Sequence, residues 1–162
     1  ARFEREAPEP HFSSVRFADW LSDEVDAARL LGRDLKITVD TAKLPENLAV
    51  DVDRKAMPYA LRNLLRNAFK YASGQIIVSA ELREGNIVVH VDDDGIGIPP
   101  EDRESVFSAF TRLDRSRDRA TGGYGLGLAI TRRVLELHGG TATADTAPLG
   151  GARFTLTWPL AQ

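Results

Sequence analysis

The chain has 162 residues, 28% of them charged and 43% hydrophobic, with a formal charge of −3. That length supports one domain with a substantial core, and the acidic balance disfavours a general nucleic-acid binder, which would carry a basic excess. The absence of cysteine excludes disulfides and thiolate metal sites; no apolar run approaches a membrane span, and the opening residues Ala1 to Glu6 lack signal-peptide character.

Residues 1–10 are charged, carry Pro8 and Pro10, and read as a tail or the end of a preceding element. From about Asp19 to Leu31, Leu21, Val25 and Ala28 keep a helical period. Asp34 to Asp40 alternates Leu35, Ile37 and Val39 against polar residues, the pattern of a half-buried strand. A proline-containing loop over 44–47 leads to a short strand at Leu48 to Val52. Asp53 is then placed to cap a helix running through Tyr71. Ile76 to Arg83 and Ile87 to Asp93, joined by Glu84-Gly85-Asn86, give a hairpin signal. Pro99-Pro100 introduces a short helix near Glu101 to Ser105. Residues 107–124 lack a period and are rich in Arg, Asp, Gly and Thr; a loop this long in a compact domain is usually functional or disordered. Leu126 to His138 reads as a helix stopped by Gly139-Gly140, with His138 offering a cation to the helix dipole. Strands at Thr141 to Asp145 and Ala152 to Trp158 follow. The simplest packing of this order is an α+β, two-layer sandwich: a mixed, mostly antiparallel sheet covered on one face by helices.

The stretch Asn63 to Tyr71 is the most informative. On a helix Asn63, Asn67 and Lys70 stand at i, i+4 and i+7 and share one face, while Leu61, Leu64, Leu65, Ala68 and Ala72 fill the other. Asn is a mediocre helix former, so two on one solvent face ask for a reason. A neutral amide oxygen suits Mg2+, and an ammonium offsets phosphate charge.

Three other stretches carry chemistry. Asp92-Asp93-Asp94-Gly95-Ile96-Gly97-Ile98 ends an apolar strand; its glycines permit positive φ and close approach of a flat ligand. A carboxylate there can accept a hydrogen bond from the exocyclic amine of adenine, whereas guanine would present a carbonyl oxygen to it. The plainer reading is an acidic turn after a strand. A calcium loop counted from His90 fails at its first position, is stiffened by Pro99 and Pro100, and follows a strand where a helix is required. Gly122 to Ile130 opens a helix with glycines, which lets backbone N–H groups meet phosphate oxygens. Its spacing is neither a dinucleotide fingerprint nor a P-loop. Between them lie Arg112, Arg115, Arg117 and Arg119. These are either a solvated charge run, partly neutralised by Asp114 and Asp118, or lid arginines that reach a terminal phosphate. His11, His90 and His138 share no ligand spacing.

Together these motifs resemble the ATP-binding catalytic domain of bacterial sensor histidine kinases, in the GHKL or Bergerat-fold ATPase superfamily. Asn63 to Tyr71 resembles the N box, Asp94-Gly-Ile-Gly97 the G1 box, Phe107-Ser-Ala-Phe110 the F box and Gly123-Tyr-Gly-Leu-Gly127 the G2 box. Gly150-Gly-Ala-Arg-Phe154 resembles the last glycine-containing strand entry, and the likeness covers about residues 12–160. The resemblance implies ATP and Mg2+ as cofactors, with Asn67 as the metal ligand, Asn63 near metal and phosphates, and Lys70 on phosphate. It also implies Tyr71 beside the nucleotide, Asp94 on the adenine amine, and Gly97 and Ile98 against the ring. Arg112 would meet the terminal phosphate, and Gly123, Tyr124, Gly125, Leu126, Gly127 and Leu128 would line the phosphate side.

The same resemblance makes residues 1–11 a linker or the end of a helical hairpin, and 12–162 a kinase catalytic domain with a lid at 107–124. The phosphoacceptor would lie on a separate dimerisation hairpin, since none of the three histidines has that motif's context. Further expected partners are a response regulator and, for the parent, a second copy; the parent would be an inner-membrane sensor with this domain in the cytoplasm. Two other readings stand beside it: a hydrolytic member of the superfamily, which would carry a glutamate base where Asn63 stands, and a non-catalytic nucleotide-sensing or docking module.

Overall fold

The computed structural model describes residues 10–30, 34–108 and 125–162. In chain order its elements are β1 (Phe12–Arg16), α1 (Phe17–Arg29), β2 (Lys36–Lys43), β3 (Ala49–Asp53), α2 (Met57–Tyr71), β4 (Gln75–Arg83) and β5 (Asn86–Asp93). Two 3-10 turns (Pro100–Asp102 and Ser105–Phe107), α3 (Gly125–Leu137), β6 (Thr141–Thr146) and β7 (Ala152–Pro159) complete them. Five strands pair in the order β2-β4-β5-β7-β6, and β1 pairs with β3 in a separate two-stranded sheet. Among the described strands only the β2–β4 pair is parallel. The fold is thus α+β with a mixed, mostly antiparallel sheet, as the sequence pattern implies.

Alternation decides which sheet face is covered. On β5 Ile87, Val89 and Val91 are buried with Val78 of β4 and Phe154 and Leu156 of β7, while His90 and Arg153 lie on the open face. Onto the apolar face α1 brings Phe17, Leu21 and Val25, and α2 brings Leu61, Leu64, Leu65 and Ala68. Each such leucine contributes roughly 1.5–3 kcal/mol by leaving water. The polar face of α2 is therefore turned away from the core by its own apolar stripe. The β4–β5 turn needs positive φ at both central residues, and Glu84 (φ 54°) and Gly85 (φ 80°) supply it.

Four sequence expectations change. β1 was not expected; it forms by pairing with β3, a partner far along the chain. Asp53 does not cap α2 at its first turn. Its Oδ1 accepts the N–H groups of Lys55 (2.9 Å) and Ala56 (3.1 Å), and its Oδ2 that of His11 (3.2 Å), so it builds the approach to the helix and ties β1 to it. The short helix after Pro99 is instead two 3-10 turns. Finally, His138 is no exposed cation. It is fully buried, its Nε2 accepts the Asp53 N–H at 3.0 Å, and Nδ1 therefore carries the proton and donates to the Val134 carbonyl at 2.8 Å. Burial holds its pKa below the usual histidine value, so the imidazole is neutral.

Candidate functional site

The polar face of α2 runs between two loops. At its C-terminal end Gly95 presses on the Tyr71 carbonyl: a Cβ there would lie 2.1 Å from that oxygen. At its other end Asn63 Nδ2 donates to the Gly127 carbonyl in the first turns of α3, at 3.2 Å. The rise of an α-helix puts Asn63 and Tyr71 about 12 Å apart along the axis. A nucleoside triphosphate laid along this face would reach from one loop to the other.

At the Gly95 end, three consecutive aspartates have three environments. Asp92 lies on the open face of the sheet and pairs in bidentate fashion with Arg153, at 2.8 and 2.9 Å. Asp94 turns to the loop between α2 and β4. Its Oδ1 accepts the N–H groups of Ser73 (2.8 Å) and Gly74 (3.0 Å), and its Oδ2 that of Gln75 (3.2 Å). The Gly74 hydrogen bond, with those of Gln75 and Ser73, holds this carboxyl below the usual carboxylate range. Both Asp94 oxygens thus serve as a clamp on residues 73–75. Asp93 continues the inward alternation of Val89 and Val91 and is 2% exposed. Its Oδ1 accepts the Gly95 N–H (2.8 Å) and the Ala152 N–H (3.2 Å). Its Oδ2 has no hydrogen-bond partner among the described residues. Burial, aided by the charges of Asp94 and Asp92, pushes this carboxyl up despite those two N–H groups.

The glycines around Asp93 serve packing more than ligand approach. A Cβ on Gly151 would sit 2.2 Å from Asp93 Oδ1, so only glycine allows the last strand to enter beside that carboxylate. Gly97 has φ +78°, a conformation that side chains rarely adopt. Ile98 is buried, and its carbonyl accepts Arg103 Nε at 3.3 Å.

At the other end Asn67 is 9% exposed, and among the described residues its side-chain amide has no hydrogen-bond partner. A buried amide without a partner is costly unless something supplies one. Asn63 is half-buried and Lys70 is exposed on the same side. Thr131, fully buried, bonds the carbonyls of Ala60 (3.1 Å) and Gly127 (3.2 Å) and fixes α3 against α2. Leu128 is 1% exposed and belongs to the core, so only its backbone can face a ligand. Two cavities among the described residues lie elsewhere, one on the open sheet face and one along α3 beside Tyr59, Ile130 and Leu137, and a third, very small one sits in the core between Phe17 and Trp158.

A family model described as histidine kinase-, DNA gyrase B- and HSP90-like ATPase matches residues 52–162, which hold α2, the aspartate loop, α3 and the last hairpin. The chain belongs to this ATPase family. The ATPase domain is 41% identical over 160 residues to the sensor protein RstB of Escherichia coli K12; the match takes in 99% of this chain and 36% of that protein. The domain thus spans about a third of the length of that curated relative. Among solved structures, the ATP-binding domain of PrrB from Mycobacterium tuberculosis matches with a TM-score of 0.75 at 27% identity, over 93% of this chain and 98% of that one. Full-length ShkA in complex with AMPPNP matches with a TM-score of 0.78 at 26% identity, over 96% of this chain and 32% of that one.

Of the residues singled out from the sequence, Asn63, Asn67, Lys70 and Tyr71 share α2; Gly97 and Ile98 follow Gly95, which meets its C-terminal end, and Gly127, followed by Leu128, meets it near its middle at Asn63. Gly125 and Leu126 begin α3. Phe110, Arg112, Gly123 and Tyr124 lie outside the described residues. Sequence reasoning did not single out Asp93, whose carboxyl the structure buries beside Gly95 and Ala152. The signal was available: a period of two carried past Val89 and Val91 puts position 93, not 94, on the helix-covered face.

Proposed function

We propose that the domain binds ATP along the α2 face and, within a longer protein, passes its terminal phosphoryl group to a histidine on a separate helical hairpin. The observation that carries this reading is the pairing of two buried groups incompletely partnered among the described residues, Asp93 Oδ2 and the Asn67 amide. A nucleoside triphosphate offers each what it lacks: an amine donor for the carboxylate and a phosphate-bound cation for the amide oxygen. Asp93, not Asp94, is the acid we assign to the adenine amine. Gly97 and Tyr71 lie beside the ring's position, and Lys70 is free to reach phosphate from the exposed side of the helix.

Mg2+ fits the donor set, with the Asn67 oxygen as its ligand; when bound it would neutralise phosphate charge and ease departure of ADP. The chain's own part is positioning. The α2 face aligns the nucleotide, the first turn of α3 (Gly125 to Leu128) turns backbone N–H groups toward the phosphates, and Arg112, with Gly123 and Tyr124, is assigned to the terminal phosphate by family resemblance. Phosphoryl transfer needs little else from the protein than alignment and charge stabilisation.

Asn63 favours transfer over hydrolysis. An amide cannot take a proton from water near neutral pH, and this one donates to Gly127. The kinship to sensor proteins supports a response regulator, a homodimeric parent and a membrane-anchored parent with this domain in the cytoplasm. Among the described residues no helix is long and apolar enough to cross a membrane. The test is to mix the domain with its cognate hairpin and labelled ATP. Label on the hairpin histidine with slow phosphate release is the expected outcome. Rapid release by the domain alone would establish the hydrolytic reading, and nucleotide binding without label on the hairpin would establish a sensing or docking module.

A further inference from the structure

We infer that Arg132 is a positioning residue that holds the phosphate end of the cleft in register. The inference rests on the nucleotide reading above and concerns the half of α3 that this reading leaves unexplained.

Arg132 follows Gly127 and Thr131 on α3. Its guanidinium carbon lies 4.6 Å from the centroid of the Phe107 ring, and its Nη1 lies 2.8 Å from Glu104 Oε1. The ring beneath it is itself fixed: Phe107 is 2% exposed and meets Phe154 of β7 edge-on at 5.9 Å. Glu104 is 82% exposed at its side chain, so the ion pair alone is weak. The stacked contact is the stronger half, since a cation over a buried ring is only partly screened. A planar guanidinium can lie flat on the ring and still reach the carboxylate from its edge; an ammonium cannot do both. The same pairing holds the Glu104 carboxyl below its usual range.

A second face of α3 is tied to α2 through Thr131 Oγ1 to the Ala60 carbonyl (3.1 Å) and Asn63 Nδ2 to the Gly127 carbonyl (3.2 Å). One tie would leave the helix able to roll about its axis. Two ties on different faces, about 100° apart around the axis, fix its rotation, and with it the direction of the N–H groups in its first turn. Among the described residues Arg132 supplies the one salt bridge from α3 to the 100–107 segment. Arg133 gives an internal comparison. It is the same residue type one position on, its side chain is 82% exposed, and it reaches only Glu136 of its own helix, at 3.9 Å.

The experiment compares the wild-type domain with Arg132→Ala, Arg132→Lys and Arg133→Ala. Titrations with MgATP and with adenosine are run beside thermal melts without ligand. Arg132→Ala should weaken MgATP about tenfold. Adenosine, held at the Asp93 end, should change by less than about twofold, and the melt should shift by only a few degrees. Arg132→Lys should recover less than half of the lost affinity, and Arg133→Ala should behave as wild type. Unchanged MgATP binding by Arg132→Ala would overturn the inference, as would parallel losses of ATP and adenosine or full recovery with lysine. If the wild-type domain bound neither ATP nor adenosine, the nucleotide reading would fall first and this inference with it.

Discussion

At the aspartate loop nearly every polar group already has a protein partner. Asp94 clamps three backbone N–H groups, Asp93 Oδ1 accepts two more, and Gly151 fits against it with no room for a side chain. Among the described residues one acceptor, Asp93 Oδ2, is left over. At the Asn63 end of the same helix the order is reversed: Asn67 is buried without a described partner, Lys70 is exposed, and α3 is fixed by side-chain ties at its flanks. In the proposed reading the first region is a socket whose polar groups are nearly all paired, and the second is a set of donors and acceptors for a charged ligand to complete. That reading puts selectivity for the base in the socket, where an unpaired group is costly. Charge neutralisation belongs at the other end, where ligand and ion bring their own partners.

The largest test of this contrast removes the socket's free acceptor. Asp93→Asn keeps an oxygen for Gly95 and Ala152 but loses the charge. Affinity for ATP should fall about a hundredfold, in line with the loss of a buried charge-assisted hydrogen bond. Preference for ATP over GTP, measured by competition, should fall with it. If Asp94→Asn were the more damaging of the two for affinity, the assignment of the two aspartates would be reversed.

Next in size is the other end. Asn67→Ala should weaken ATP about tenfold in the presence of Mg2+. In excess chelator, wild type and variant should bind alike, because the missing group is a metal ligand. The unliganded melting temperature should not drop, since the substitution removes a buried amide that has no described partner. An equal loss with and without Mg2+ would place Asn67 on the nucleotide itself.

Asp94→Asn should show the opposite signature, a loss of stability with little loss of affinity. Its three N–H partners sit where α2 hands over to β4, so the melting temperature should fall by a few degrees. Its solvent exposure keeps the effect small. Hydrogen exchange at Ser73, Gly74 and Gln75 should quicken, while ATP affinity stays within about threefold of wild type.

These contrasts also show what a one-dimensional reading can reach. The amide–amide–lysine face of α2 was legible because both its polar and its apolar stripes repeat with helical period, and local periodicity needs no tertiary knowledge. The β4–β5 hairpin and the stop at Gly139 were legible for the same reason. Assigning the acid was harder. Motif spacing drew the eye to Asp94 beside Gly95, whereas strand alternation assigns the inward position to Asp93. β1 was hidden because its partner, β3, is remote in sequence and Pro10 makes the entry look irregular. The neutral state of His138 depends on the Asp53 N–H, a contact across 85 positions that no local pattern encodes.

The smallest effect is a pH dependence confined to one end. In the free domain burial, reinforced by the Asp94 and Asp92 charges, raises the Asp93 pKa above the ordinary carboxylate value of 3.8. In the proposed complex the ionised form accepts a hydrogen bond from the adenine amine; the protonated form would set a donor against a donor. Affinity should therefore be full above the raised pKa and decline as pH falls through it. Binding should in turn release protons in that window, because the amine favours the ionised state. Adenosine is the ligand to use, since it carries no phosphate to titrate alongside the protein. Calorimetry in two buffers of different ionisation enthalpy would read the proton release directly. The Asn67 end offers only an amide and should add no pH dependence, so Asn67→Ala should reproduce the wild-type profile while Asp93→Asn flattens it. A profile that survived Asp93→Asn unchanged would mean that the titrating group lies elsewhere, and the socket would lose its claim to the base.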